Sequence, residues 1–146
     1  MSDIFADVKS FQEACEQKFD LRTAALYVKL VNEECEELND SFPNFLVDRF
    51  WPHQIESDKS LAEVADALID IIYVCAGCIN ALELDAEALW NEVQRSNMAK
   101  IDPLTGKVTK RADGKIRKPE GWLPPDLLSI VKKGKSNESG NGKAQN

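Results

Sequence analysis

The stretch DKSLAEVADALIDIIYVCAGCINAL, residues 58–82, decides how this chain folds. It holds no proline, and its apolar residues recur on nearly every side of a 3.6-residue period. It therefore reads as a helix over about Asp58–Leu82 that belongs in the middle of a helical bundle. Three carboxylates are set into that apolar surface: Glu63, Asp66 and Asp70. Residues three and four apart share a helix face, so the three converge. No lysine or arginine lies between Ala62 and Gln94 to neutralise them, and buried carboxylates are rare unless paired or metal-bound.

Upstream, Asp20 can cap a helix over about Leu21–Asp40, whose apolar positions include Ala24, Ala25, Val28, Val31, Cys35 and Leu38. It carries Glu33-Glu34-Cys35-Glu36-Glu37-Leu38, in which Glu33, Glu34 and Glu37 share a side. Taken alone, such a run reads as a solvated face. Facing Glu63 and Asp66 from an antiparallel neighbour, it becomes a concentration of like charge that needs cations. Hard divalent ions favour oxygen ligands, so the pattern points to magnesium, and magnesium points to phosphate.

Ser41-Phe42-Pro43 should end that helix, because proline disfavours helix in the residue before it. A loop of about fifteen residues, Pro43 to Ser57, is expected next, with Phe42, Phe45, Phe50 and Trp51 as an aromatic cluster. Those rings fill a core edge or stack on a base; His53, the only histidine, reads as an exposed loop residue. The remaining helices are about Asp3–Phe19, with Val8, Phe11 and Cys15 at helical spacing, and Ala86–Met98, capped by Asp85. No alternating run suggests a sheet. The expected fold is all-α: an antiparallel helical bundle of four main helices with an extended, turn-rich C-terminal arm. One domain is expected over 1–131, with its helical core at about 3–99 and the arm at about 100–131. Residues 132–146 read as a disordered tail.

The formal charge of −7 is unevenly spread. Up to Ala99 there are twenty acids and seven bases; from Lys100 to Lys135 there are four acids and ten bases. A basic arm can bind nucleic acid, lie over the acidic body or reach the phosphates of a ligand. The acidic body would repel a duplex, so no nucleic-acid partner is expected. No apolar run approaches the roughly 18 residues of a membrane span and the N-terminus has no signal-peptide pattern; a cytoplasmic protein with no membrane partner is expected. Cys75-Ala76-Gly77-Cys78 has a CxxC spacing, but among Ile71, Ile72, Val74 and Ile79 these cysteines read as core packing.

The ordered set Glu-Glu-x-x-Glu-Leu at 33–38 and Glu-x-x-Asp at 63–66 resembles the all-α NTP pyrophosphohydrolases: MazG, the phosphoribosyl-ATP pyrophosphohydrolases and the dimeric dUTPase/dCTPase group. The similarity continues through Val93–Asp102, Asp113–Pro119 and Leu123–Leu127, where it is closest to single-domain bacterial and phage MazG-like members rather than to the phosphoribosyl-ATP enzymes. It covers about Phe5 to Val131. It implies a helical bundle that assembles as a homodimer or homotetramer, with Mg²⁺ (Mn²⁺ as a substitute) held by acids. It implies hydrolysis of an NTP or dNTP between the α and β phosphates to monophosphate and pyrophosphate, in house-cleaning or nucleotide-pool control. Carried over by position, Glu33, Glu34, Glu37 and Asp66 ligate metal, and Glu63 ligates or orients the attacking water. Asp70 matches no core motif position and is left a supporting role.

Candidate substrate contacts lie further on. Asn97 offers a donor and an acceptor and Lys100 a point charge. Arg95 either joins them or complements its helix C-terminus. Lys115, Arg117 and Lys118 either close over phosphates or form a solvated arm, and Trp51 either stacks on a base or packs. Two rival readings were weighed: a non-catalytic module docking through its acids, and a di-metal carboxylate bundle. The second wants Glu-x-x-His pairs, which one histidine cannot supply.

Overall fold

The computed structural model describes residues 3–50 and 54–141. Five helices follow in order: α1 (Ile4–Ala14), α2 (Leu21–Phe50), α3 (Gln54–Ala81), α4 (Ala86–Met98) and α5 (Leu127–Asn141). Among the described residues there is no strand, only two isolated antiparallel bridges, and the fold is all-α as expected. The chain divides into two compact units, one ending at Glu83 and the other starting at Leu84.

In the first unit α1 packs on α3, and α2 and α3 form a long antiparallel hairpin. Asp3 caps α1 by accepting from the amides of Phe5 (3.1 Å) and Ala6 (3.4 Å). The helix closes five residues before the expected Phe19. Glu16 takes a left-handed φ of 54°, and the Gln17 amide reaches back to the Gln12 carbonyl at 3.0 Å, the bonding of a C-terminal cap usually built on glycine. Val8 and Gln12 are fully buried. The Gln12 side chain donates to the Gly77 carbonyl (3.0 Å) and accepts from Asn80 Nδ2 (3.1 Å), which also donates to the Phe5 carbonyl (3.0 Å). A buried amide so paired costs little and fixes α1 against the last turns of α3.

Asp20 caps α2 through the Thr23 amide at 2.9 Å. Contrary to expectation, Pro43 does not end this helix, which runs through it to Phe50. The proline removes one backbone donor, while Ser41 Oγ donates to the Leu38 carbonyl and Asn44 Nδ2 to the Asp40 carbonyl. These side-chain donors support the turns around the proline. Helix α3 likewise starts at Gln54 rather than near Asp58, so most of the expected fifteen-residue loop is helical; Trp51 and His53 lie outside the described residues. Phe42 and Phe45 sit on α2 with their rings 6.2 Å apart.

The hairpin register is set near its open end. A Cβ on Gly77 would collide with the Tyr27 ring, so only glycine lets Tyr27, itself buried, lie against α3 and hold Gln17 Oε1 at 3.0 Å. One turn away the Cys78 thiol points at the Ala24 carbonyl, 3.7 Å away. Val64, Ala67, Val74 and Ala76 form the buried side of α3. The helix is not enclosed within one chain: Leu61, Leu68, Ile69 and Ile72 remain exposed, as do Leu26 and Val28 on α2.

In the second unit Asp85 caps α4 through the Ala88 amide at 2.9 Å. Two tight turns follow, closed by the Ile101–Val108 and Lys110–Ile116 bridges, with Gly106 and Gly114 at φ 66° and 80°. The turn-rich arm is thus built on two such turns. Asp126 caps α5, accepting from the Ser129 amide (3.1 Å) and hydroxyl (2.6 Å). The residues from Lys132 to Asn141 that read as a disordered tail are therefore helical.

Candidate active site

In the antiparallel pairing of α2 with α3, Glu34 of α2 senses Glu33 and Glu37 of its own helix and Asp66 and Asp70 of α3. Glu34 is half-buried. Its carboxyl is held above the ordinary range first by burial, then by the charges of Glu37, Asp70, Glu33 and Asp66 in that order. Both helices thus press negative charge on one group, as like charges do when water is partly withdrawn. Glu33 also meets Lys29 at 3.2 Å and Glu63 meets Lys59 at 4.0 Å, each one turn away on its own helix. Both pairs are exposed, and exposed pairs of this kind hold a side chain only weakly. Asp70 is the α3 residue that weighs most on Glu34, ahead of Asp66. It lies one turn after Asp66 on the same helix.

The donor set is oxygen alone and suits a hard divalent cation. No three Asp, Glu, His or Cys side chains among the described residues draw close enough to enclose an ion by themselves. Magnesium is ordinarily held by one or two carboxylates, with water and phosphate oxygens completing its shell, so an open acidic face fits it better than a closed cage. Cys75 and Cys78 are half-buried free thiols. Burial pushes both up, as in core packing and unlike a reactive pair.

The second unit spends most of its charge on its own structure. Arg95 donates twice to Glu92, at 2.8 and 2.7 Å, and reaches the Pro124 carbonyl at 3.5 Å. The Asp126 amide also bonds Glu92 at 2.8 Å. Arg95 and then that amide hold the Glu92 carboxyl down at about 2. Arg95 is therefore a clasp between α4 and the start of α5. Lys100 donates to Asn97 Oδ1 at 2.8 Å, which brings those two candidates together. Lys118 lies over the Trp122 ring, 4.2 Å from its centroid, and Lys100 lies 5.4 Å from the same centroid. Lys115 is exposed on the second turn. Trp122, which brings Lys100 and Lys118 to one ring, is the residue that the sequence pattern did not single out.

A profile of the phosphoribosyl-ATP pyrophosphohydrolase family matches residues 6–97, from α1 through most of α4. The chain belongs to this family. With it the chain joins the MazG-like all-α NTP pyrophosphohydrolases. No curated protein matches it. The matched span contains every acid on the α2–α3 face and stops before the arm. The family points to pyrophosphohydrolase chemistry on a nucleotide-like substrate and is generally divalent-metal dependent. The profile carries the phosphoribosyl-ATP name. Among the described residues no single helix is long and apolar enough to cross a membrane.

Proposed function

We propose that this chain is a Mg²⁺-dependent pyrophosphohydrolase that cleaves an NTP or dNTP between the α and β phosphates. It releases the monophosphate and pyrophosphate, and acts in the cytoplasm in nucleotide house-cleaning or pool control. The observation that carries this reading is Glu34, half-buried and pressed by four further carboxylates from two antiparallel helices inside a span that matches the family. Glu33, Glu34, Glu37 and Asp66 would hold the metal, with Asp70 and Glu63 beside them, and Mn²⁺ could take its place. Bound there, the ion supplies charge neutralisation for the phosphates and a water of lowered pKa. One carboxylate of this set would accept the proton of the attacking water. Asn97 and Lys100 contribute a polar handle and a positive charge for the substrate.

The chain also acts as a homodimer or homotetramer in this reading. Leu68, Ile69 and Ile72 on α3 and Leu26 and Val28 on α2 stay exposed, too much apolar surface for one hairpin. A second copy of the same hairpin would cover them and complete a four-helix bundle.

The test is turnover of a panel of NTPs, dNTPs and phosphoribosyl-ATP in Mg²⁺, with pyrophosphate and orthophosphate resolved. Monophosphate plus pyrophosphate is expected, with the fastest substrate among the (d)NTPs. Orthophosphate alone, or no turnover across the panel, would refute the reaction; turnover of phosphoribosyl-ATP only would keep the reaction and reassign the substrate.

A further inference from the structure

The second unit contains a cleft of about 390 Å³, lined on one side by the end of α4 at Arg95, Ala99 and Lys100 and on the other by Thr109, Arg117 and Trp122. Its walls are built locally. The Arg117 amide donates to the Thr109 carbonyl at 2.7 Å, which holds Arg117 on the second turn. Gly121, at φ 74°, and the Trp122 amide's bond to the Pro119 carbonyl at 3.1 Å turn the chain back. Trp122 is then fastened to α4 by its indole N–H, which donates to the Ser96 carbonyl at 2.8 Å.

So fastened, the indole gathers Lys100 from the end of α4 and Lys118 from the arm over one ring. A π face attracts an ammonium without cancelling its charge. None of the ion pairs among the described residues involves Lys100, Arg117 or Lys118. Of the other charged groups lining the cleft, Arg95 is neutralised by Glu92. Asp102 accepts from the amides of Leu104 (2.8 Å) and Thr105 (3.0 Å) in its own turn. Glu120 is the lining acid that opposes an anion.

We propose that this cleft binds a di- or triphosphate group through Lys100 and Arg117 of its lining, with Lys118 adjoining it over the Trp122 ring and Trp122 as the residue that positions the two lysines. The ring already faces ammonium groups, so it serves as a platform for cations rather than as a stack for a base, and the site reads phosphate and not base identity. Only the source of the ligand rests on the proposed reaction: either the phosphate chain of a nucleotide or released pyrophosphate. Binding itself is independent of turnover, so either reading can fail alone.

The test is calorimetric titration of inorganic pyrophosphate, and separately of an α,β-methylene dNTP, into the full chain in EDTA. Without divalent metal the acids of the first unit repel both. One-to-one binding is expected, weakened at least tenfold by Arg117→Ala combined with Lys118→Ala, and tightened by Glu120→Gln. Trp122→Phe should keep most of the affinity and Trp122→Leu should lose it, with the far-ultraviolet circular dichroism of both unchanged. Tighter binding of the methylene analogue assigns the site to nucleotide, and tighter binding of pyrophosphate assigns it to product. No binding, or binding that these substitutions leave unmoved, would overturn the proposal. So would stronger, salt-steep binding of duplex DNA, which would reassign the arm to nucleic acid.

Discussion

The two units handle acids in opposite ways. On the α2–α3 face, Glu34 has its carboxyl raised by burial and by four like charges. Around α4 and the arm, Glu92, Asp102 and Asp126 are all lowered, by Arg95, by turn amides and by Ser129 respectively. An acid that is lowered is already satisfied by its surroundings and does structural work. One that is raised, as Glu34 is by burial and then by like charges, has no such partner in its surroundings. The contrast separates a face suited to chemistry from a scaffold, although both are rich in the same residue types.

The sharpest way to break this contrast is to remove one acid from each side. Glu37→Gln should lower turnover by about 100-fold or more, about 2.7 kcal/mol of barrier, while leaving the metal-free protein as stable as before or more so. Steady-state kinetics beside a thermal melt checks both halves, and a loss of stability matching the loss of rate would make Glu37 structural. Glu92→Gln should do the reverse, leaving the rate nearly intact while lowering the melting temperature.

Packing of the hairpin comes next in size. Gly77→Ala forces Tyr27 off α3 and should cost about 1–3 kcal/mol, the usual range for overpacking, read from urea unfolding. A neutral result would mean that Tyr27 does not set the register that brings Glu34 opposite Asp70.

The smallest effect is on pH dependence, and its sign differs between the units. Glu34, raised in the folded state, contributes stability that is present below its ordinary value and is lost as pH rises through its folded one. Glu92, lowered to about 2, contributes stability that is present above about 4.5 and is lost as pH falls toward about 2. Melts of the metal-free protein across pH should therefore show Glu34→Gln flattening the upper limb and Glu92→Gln the lower one.

Helix α4, most of α3 and the caps Asp20 and Asp85 were legible because each rests on periodicity or on one local hydrogen bond. Pro43 misled because its local preference was outweighed by the long α2–α3 interface, with Ser41 and Asn44 supplying donors nearby. The end of α1 was hidden because Glu16, not glycine, takes the left-handed position. The continuation of α5 past Val131 was missed because the polar run from Lys132 looks the same whether coiled or helical. The acids were readable as a set, since spacing alone puts them on shared faces. The weight of Asp70 and the gathering of Lys100 and Lys118 by Trp122 were not, because both depend on which distant segments meet.

The central claim is that the α2–α3 face is a divalent-cation centre. The most direct measurement is titration of Mn²⁺ into the full chain by electron paramagnetic resonance, with Glu34→Gln and Asp66→Asn run in parallel. Saturable binding that each substitution weakens by tenfold or more is predicted. Binding that neither substitution changes, or no binding at all, would contradict the claim.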